Sequence, residues 1–237
     1  MMGKSFDLPL NAVDEDLITN NTKRIPVCIC IEKSIYTKAR IDEFLNSMNK
    51  LKKTIMDDPH TLYSVEICLI VFSDKAKIYH PFALFRNDRE RVFTGFDEQF
   101  SGAENITKPD LCGALELAVK QIRLRKKDYH LAGKSDCYQS TLILIGSGNI
   151  SRDISRIAET LREFKQSLAV LPICIADKDR SWENYKCLRG DGKVFKGSEN
   201  LAGIFDSVGS SMANLSASSV EVFNGLAASA KDWDDFK

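Results

Sequence analysis

Four short runs of apolar residues constrain the fold of this chain more than any other feature. They are residues 25–31, 65–72, 141–146 and 168–175, and each is nearly continuous. A strand that is exposed on one face alternates apolar and polar residues, whereas a strand covered on both faces is apolar throughout. The four runs therefore predict a mainly parallel sheet that is covered by helices on both faces.

Helical patterns occupy the segments between these runs. Residues 39–58 place apolar side chains at helical spacing, namely Ile41, Phe44, Leu45, Met48, Leu51 and Ile55. Residues 111–129 and 151–167 show the same spacing, with Ser151 as the predicted N-cap of the second segment. A last helix is predicted after Gly197.

One segment breaks the alternation of strands and helices. Residues 75–82 follow the second strand after a tight turn at Ser73 and Asp74, and they predict an antiparallel strand at a sheet edge. The order β-α-ββ-α-β-α-β-α indicates a Rossmann-like, doubly wound α/β fold with strand 25–31 in its central region. In such sheets the functional crevice lies outside the carboxyl ends of the strands.

Composition indicates an ordinary globular protein. The 237 residues are 43% hydrophobic, and we expect an arm at 1–23, one domain at 24–217 and a tail at 218–237. Lys plus Arg equals Asp plus Glu at 33 each, which argues against nucleic acid as a partner. No apolar run reaches the roughly 18 residues that span a bilayer, and the first residues lack a signal-peptide core. We therefore expect a cytoplasmic protein without membrane contact.

The seven cysteines fit a reducing compartment. Cys28, Cys30, Cys68 and Cys174 lie in apolar runs, where a thiol behaves as a small hydrophobe, so we expect them to be buried and reduced. No CxxC occurs and the count is odd, which argues against a disulfide framework. A metal site at the CxC of Cys28 and Cys30 would need further ligands, so core packing is the preferred interpretation.

Five segments, in chain order, resemble the von Willebrand factor A (VWA) family. They are RIPVCICIEKS, DDPHTLYSVEICLIVFSDKAKI, LCGALELAVKQIRLRKKDY, STLILIGSGNISRD, and the stretch from LAVLPICIADKDRSWENYKCL to FKGSENLAGIFDSVGSSMANLSAS. Together they cover roughly residues 15–220, and the resemblance is to the bacterial branch found in tellurium-resistance and related stress or defence gene clusters. It implies the VWA fold and a module that binds protein partners.

The family's metal-ion-dependent adhesion site is where this chain departs from the pattern. The resemblance places the site at Glu32, Ser34, Tyr36, Pro109 with its neighbour Asp110, and Ser147. Mg²⁺ prefers near-octahedral oxygen ligands at about 2.1 Å. A glutamate replaces the expected aspartate, a rigid phenol replaces a serine, a proline replaces a threonine and a serine replaces a second aspartate. Only Ser34 is unchanged.

The resemblance therefore implies a degenerate site with no bound metal or other cofactor. The less favoured alternative is a metal-dependent binding module with a reshaped Mg²⁺ site, in which Asp110 or Thr107 supplies an oxygen. Tyr36 is either a plug for the empty site or an exposed anchor for a partner.

Aromatic side chains supply further candidates for partner binding. Trp182 and Tyr185 follow the last long strand, and Trp233 and Phe236 lie in the acidic tail segment KDWDDFK. Exposed Tyr and Trp side chains commonly anchor interfaces, and Ser147 and Tyr36 belong to the same set of candidates. The tail is typical of a short peptide that docks on its own domain or on another protein.

Two weaker signals have ordinary explanations. The segment GSGNISRD could receive an anion at a helix N-terminus, but neither GxGxxG nor GxxxxGK[ST] occurs, and a turn is the preferred interpretation. Basic residues in RLRKKDYHLAGK predict a solvated helix end or, alternatively, a surface for an acidic partner; they are Arg123, Arg125, Lys126, Lys127 and Lys134.

These observations support two classes of function. The preferred one is a non-enzymatic interaction module, which by resemblance binds a PP2C-like phosphatase or a Ser/Thr kinase encoded beside it. The alternative is an enzyme or small-ligand binder that uses the crevice at the strand ends, with Glu32 as general base. A deep polar pocket around Glu32 and Ser147 would favour the enzyme, whereas a site filled by Tyr36 would count against it.

Overall fold

The computed structural model describes residues 17, 19–88, 95, 97–100, 109–134, 137–150, 153–164, 166–176 and 181–217. The strands are β1 (Ile25–Glu32), β2 (Val65–Phe72), β3 (Ala76–Leu84), β4 (Ser140–Gly146), β5 (Leu168–Cys174) and β6 (Phe195–Lys196). The α-helices are α1 (Ile35–Ala39), α2 (Ile41–Asp57), α3 (Pro59–Ser64), α4 (Phe85–Asp88), α5 (Leu111–Leu131), α6 (Ser155–Glu163) and α7 (Gly197–Ala217). Short 3₁₀ helices span Asp97–Phe100 and Ser181–Leu188.

The strands form one sheet in the order β3-β2-β1-β4-β5-β6. Strand β1 lies between β2 and β4 and is parallel to both, which confirms its predicted central position. Strand β3 is antiparallel to β2 and lies at the edge, as the sequence predicts. The two-residue strand β6 at the opposite edge was not predicted, because so short a strand has no periodicity of its own.

Each strand contributes alternate side chains to two separate cores. On one face, Val27 and Ile29 of β1 join a cluster with Phe44 of α2 and Phe205 of α7, whose rings meet edge to face at 6.0 Å. On the other face, Cys28 and Cys30 of β1 belong to a second cluster with side chains of α5 and α6. The sheet is therefore covered on both sides, which explains why its strands are apolar without alternation.

The predicted burial of the four strand cysteines is confirmed. Cys28, Cys30, Cys68 and Cys174 are buried, and none is in a disulfide. Cys28 lies opposite Cys68 in the register of β1 and β2. Hydrogen bonds to the Cys30 and Cys68 thiols, together with burial, hold the pKa of Cys28 well above its usual value.

A buried ion cluster closes the amino-terminal end of the sheet. Arg125 donates to both carboxylate oxygens of Glu66, from Nε at 2.6 Å and from Nη2 at 2.9 Å. The Tyr129 hydroxyl donates to the same carboxylate at 2.6 Å, and the Arg24 guanidinium lies 3.6 Å away. Arg125 is therefore part of the interior, which contradicts its assignment to a solvated helix end.

Other members of the predicted basic cluster also contact their own domain. The Arg123 guanidinium lies over the Phe164 ring at 4.6 Å. Lys126 and Lys134 donate to backbone carbonyl groups, at 3.1 Å and 2.6 Å. These contacts argue against a basic surface for an acidic partner on α5.

Helix α6 begins later than predicted. Its N-cap position is Ile154, and the Asp153 carboxylate accepts from the N–H of Ser155 at 2.9 Å. The predicted cap at Ser151 is therefore wrong, because the local turn at Asp153 satisfies the first amide; Ser151 itself lies outside the described residues. In the described part of the chain, no helix combines the length and the apolar character needed to cross a membrane.

Candidate functional site at the carboxyl ends of the strands

The candidate site is formed where β1 and β4 end side by side. Ile31 of β1 pairs with Ile145 of β4 in the parallel register. The next residues along the two strands, Glu32 and Gly146, therefore lie at the same edge of the sheet. The 3₁₀ helix Ser181–Leu188 follows β5 at this edge, and Asn184 of this helix donates to a backbone carbonyl of the loop after β4 at 2.8 Å. Three loops therefore converge here, as the fold class predicts.

Glu32 is completely buried and is held from one side. Its Oε2 accepts from the backbone N–H of Ser147 at 2.9 Å and from the Ser147 hydroxyl at 3.0 Å. Its Oε1 is buried without a hydrogen-bond partner among the described residues. Burial raises the pKa of Glu32, although the hydrogen bonds from Ser147 and the nearby hydroxyl of Ser34 favour the charged form.

Tyr185 fills the space beside this carboxyl group. Its side chain is fully buried, and its hydroxyl oxygen accepts from the backbone N–H of Gly148 at 3.2 Å. A Cβ atom at Gly146 would collide with the Tyr185 hydroxyl and would lie 2.7 Å from Oε2 of Glu32. The phenol and the carboxyl group therefore both pack against the bare Cα of Gly146. Burial, and next the charge of Glu32, hold the pKa of Tyr185 well above its usual value.

The α1 side of the site forms its own hydrogen bonds. Ser34 is completely buried, and its hydroxyl lies 3.4 Å from the hydroxyl of Thr37, which donates to the Glu32 carbonyl at 2.5 Å. Tyr36 is partly buried and packs against the core on the α2 and α7 face. The ring beside Glu32 is that of Tyr185, so the interpretation of Tyr36 as the plug is wrong.

Asp110 caps a helix instead of facing the site. Its carboxylate accepts from the N–H of Gly113 at 3.1 Å, in the first turn of α5, and its own N–H donates to the Ser73 carbonyl at 2.6 Å. Pro109 beside it is buried and has no side-chain oxygen, and Thr107 lies outside the described residues.

The residues at this edge do not fit a Mg²⁺ ion. Within the described ranges, no group of three or more His, Cys, Asp or Glu side chains is arranged to hold a metal. One oxygen of Glu32 is engaged by Ser147, Asp110 is engaged by its own helix, and Pro109 has no side-chain oxygen, so the described residues offer few of the oxygen ligands that Mg²⁺ needs.

Two of the predicted partner-binding residues are not on the surface. Ser147 and Tyr185 are completely buried, so their assignment as surface contacts is wrong; they build the interior of the site. Trp182 is partly exposed, and the ammonium groups of Lys186 and Lys196 lie over its ring at 4.4 Å and 5.4 Å. Trp233 and Phe236 lie outside the described residues.

Sequence reasoning missed two exposed apolar residues at this end of the sheet. Ile35 is 39% exposed and follows Glu32 by three positions, and Ile150 is 37% exposed and follows Ser147 by three positions. Because Glu32 and Ser147 are hydrogen-bonded, both isoleucines extend from the same edge of the domain. The sequence did contain a signal for this surface, because Ile35 and Ile150 each follow a predicted site residue by three positions.

Comparison with known proteins identifies the fold. BatB from Bacteroides thetaiotaomicron matches with a TM-score of 0.52 at 14% identity, over 80% of this chain and 99% of its own. A von Willebrand factor type A protein from Catenulispora acidiphila matches with a TM-score of 0.52 at 12% identity, over 81% of this chain and 43% of its own. The manganese-loaded TRAP protein of Plasmodium vivax matches with a TM-score of 0.55 at 13% identity, over 78% of this chain and 74% of its own.

No family model and no curated protein matches the sequence. The mainly parallel six-stranded sheet of this chain, with its antiparallel edge strand and helices on both faces, superposes on these structures over 78–81% of the chain. The predicted fold class is therefore confirmed: the chain has a VWA-like α/β fold.

Proposed function

We propose that the chain is a non-enzymatic, protein-binding module that works without a metal ion. The observation that carries the proposal is the buried group of Glu32, Ser147 and Tyr185, with the exposed residues Ile35 and Ile150 three positions after Glu32 and Ser147. In this arrangement the strand ends offer a partner an apolar surface, with Ser147 bonded to one oxygen of the Glu32 carboxyl group in the interior. Aromatic and aliphatic anchors of this kind dominate the energy of many interfaces.

The contact surface consists of Ile35, Ile150 and the exposed part of Tyr36. Each of the two isoleucines is more than one-third exposed. Ile35 begins α1 and Ile150 lies in the loop after β4, at the sheet edge where ligands of open α/β folds bind. Full burial of an exposed isoleucine contributes about 1.5–3 kcal/mol, so covering the remaining third of each side chain contributes roughly 0.5–1 kcal/mol. Binding by this surface depends on shape and apolar contact, so it is insensitive to chelators.

An enzyme at this edge is the weaker proposal. Glu32 and Ser147 are both inaccessible, and a general base must come within about 3 Å of the proton that it removes. A surface depression lies elsewhere, on α2 and α7, and it is lined by Glu43, Asn46, Asn49, Lys50, Lys53 and Ala202.

The finer parts of the proposal rest on the sequence resemblance to the tellurium-resistance branch of the VWA family. We assign the protein to a bacterial stress-response or defence gene cluster, and its partner to a PP2C-like phosphatase or a Ser/Thr kinase encoded there. The free cysteines favour a cytoplasmic location. We propose that residues 1–23 form an N-terminal arm, residues 24–217 the VWA-like domain and residues 218–237 a C-terminal tail.

The proposal is tested by measuring the affinity of the purified protein for the phosphatase and the kinase that are encoded beside it. Ile35→Asp with Ile150→Asp should weaken binding at least tenfold, whereas the matched variant Leu131→Asp, at a 63% exposed position on α5, should not. EDTA should leave the affinity unchanged. Equal binding by both variants, or loss of binding in EDTA, would refute the assignment of this surface.

A further inference from the structure

A tryptophan flanked by two lysines lies on the 3₁₀ helix after β5. Trp182 is partly exposed, and the ammonium groups of Lys186 and Lys196 both lie within 5.4 Å of its ring centroid. Lys186 belongs to the same 3₁₀ helix and Lys196 ends β6. We call these three side chains the Trp182 platform. The ring holds both cations close together, because cations are attracted to its face.

The platform carries cationic charge that its neighbours only partly neutralise. Lys186 lies 3.7 Å from Glu183, but the two side chains are 46% and 45% exposed, so solvent screens their attraction. Among the described residues from Ser181 to Lys196, four side chains are cationic and two are anionic. An acidic segment is therefore the occupant that the charge favours.

The chain itself contains such a segment at residues 231–237, KDWDDFK. It combines three aspartates with Trp233 and Phe236 between two lysines, so its side chains carry a net charge of −1 and its acidic residues lie together in the middle. In an extended segment, residues i and i+2 lie about 6–7 Å apart on the same side. Asp232 and Asp234 have this relationship, so in an extended segment both carboxylates face the same side and are available to two cations at once.

The segment can reach the platform from the end of the described chain. Helix α7 begins directly after Lys196, so its start lies beside the platform. It runs 21 residues, about 30 Å, to Ala217, and Ser216 near its end is hydrogen-bonded to Asp58 at 3.0 Å. The chain from Ala217 to Trp233 spans up to about 50 Å when extended, which is more than the return distance along the helix.

We infer that residues 231–237 dock on the Trp182 platform of the same chain, with Asp232 and Asp234 paired to Lys186 and Lys196. In this arrangement the Trp182 platform is covered by a segment of its own chain and not by a separate protein. It stands independently of the function proposed for the surface around Ile35 and Ile150, because it uses different residues.

The full chain labelled with 5-fluorotryptophan tests this inference, because the sequence contains only two tryptophans. Trp233→Phe assigns the ¹⁹F resonance of Trp182. Reversing the tail charges, with Asp232→Lys and Asp234→Lys, should move that resonance, and Lys196→Glu should move the Trp233 resonance. The matched control reverses two exposed aspartates on α2, with Asp42→Lys and Asp57→Lys, and should move neither.

Two further measurements separate the possible occupants. Salt at about 1 M shortens the Debye length to about 3 Å and should reproduce the effect of tail reversal. A synthetic peptide of residues 228–237 should return the Trp182 resonance of the tail-reversed chain toward its original position. A Trp182 resonance that ignores tail reversal would overturn the inference. A resonance that shifts on tenfold dilution would overturn it in favour of docking between two copies.

Discussion

Glu32, which ends β1, and Ser147, which directly follows the neighbouring strand β4, are joined by two hydrogen bonds to a single carboxylate oxygen. The Ser147 N–H donates at 2.9 Å and its hydroxyl at 3.0 Å. Both donors of Ser147 point at Oε2, so Oε1 receives neither of them. Because Glu32 is completely buried and one of its oxygens has no partner, the stability of the folded protein depends on whether this carboxyl group is protonated.

Replacing Glu32 by glutamine should remove a pH dependence from stability. The folded protein raises the pKa of Glu32 above the ordinary 4.5, so the folded state binds this proton more tightly than the unfolded state. The resulting stabilisation is fully present below pH 4.5 and is lost as the pH rises through the folded pKa. Each unit of difference in pKa corresponds to about 1.4 kcal/mol.

Urea unfolding of the wild type and of Glu32→Gln between pH 4 and pH 8 provides the measurement. The difference between their free energies of unfolding should move in favour of the variant as the pH rises. The control is Glu159→Gln, at an exposed position on α6, for which that difference should stay flat. A flat difference for Glu32→Gln as well would show that burial does not perturb this carboxyl group.

Tyr185→Phe should destabilise the protein by about 1–3 kcal/mol, because it leaves the buried N–H of Gly148 without its acceptor. Tyr185→Ala should cost about 3–5 kcal/mol, since it also leaves a cavity. Thermal and urea unfolding measure both effects. Tyr63→Phe, at a tyrosine that is 36% exposed, is the matched control and should change stability little. A neutral Tyr185→Phe would mean that its hydroxyl is not a structural acceptor.

The buried ion cluster makes a separate prediction for α5. Arg125→Met leaves the Glu66 carboxylate buried without its main partner and should cost about 3–5 kcal/mol. Tyr129→Phe removes one hydrogen bond to a charged group and should cost about 1.5–3 kcal/mol. Arg123→Met, on the exposed side of the same helix, is the control for the loss of one charge. Equal stability of the two arginine variants would contradict the structural role of Arg125.

The sequence predicted the sheet well, because each strand has a strong local signal. Residues 25–31 and 65–72 are apolar throughout, and burial on both faces is the physical reason. The start of α6 was harder to predict. The Asp153 carboxylate accepts from the N–H of Ser155, and the sequence pattern alone does not favour Asp153 over Ser151 for this role. The short strand β6 depends on pairing with β5 and has no such signal.

The interior of the site could not be predicted in the same way. The contact of Tyr185 with Glu32 and Gly146 joins residues that are far apart in the chain, and only the folded geometry brings them together. Tyr36 was the plausible plug because it lies near Glu32 in sequence. Closeness to Glu32 in sequence did not determine where the Tyr36 ring packs, which is against the core on the α2 and α7 face.

The last prediction concerns divalent metals. A ligand that binds only the folded state stabilises it by RT ln(1 + [L]/Kd), which is about 2.7 kcal/mol at a hundredfold excess over Kd. With Tyr185 beside Glu32 and no oxygen at Pro109, we expect a Kd of about a millimolar or weaker, and roughly 0.4 kcal/mol or less at one millimolar Mg²⁺ or Mn²⁺. Differential scanning calorimetry with added metal, and with EDTA as the matched control, measures the shift in Tm. A large metal-dependent shift would mean that the carboxyl group of Glu32 turns toward an ion, and that partner binding at this edge is metal-mediated.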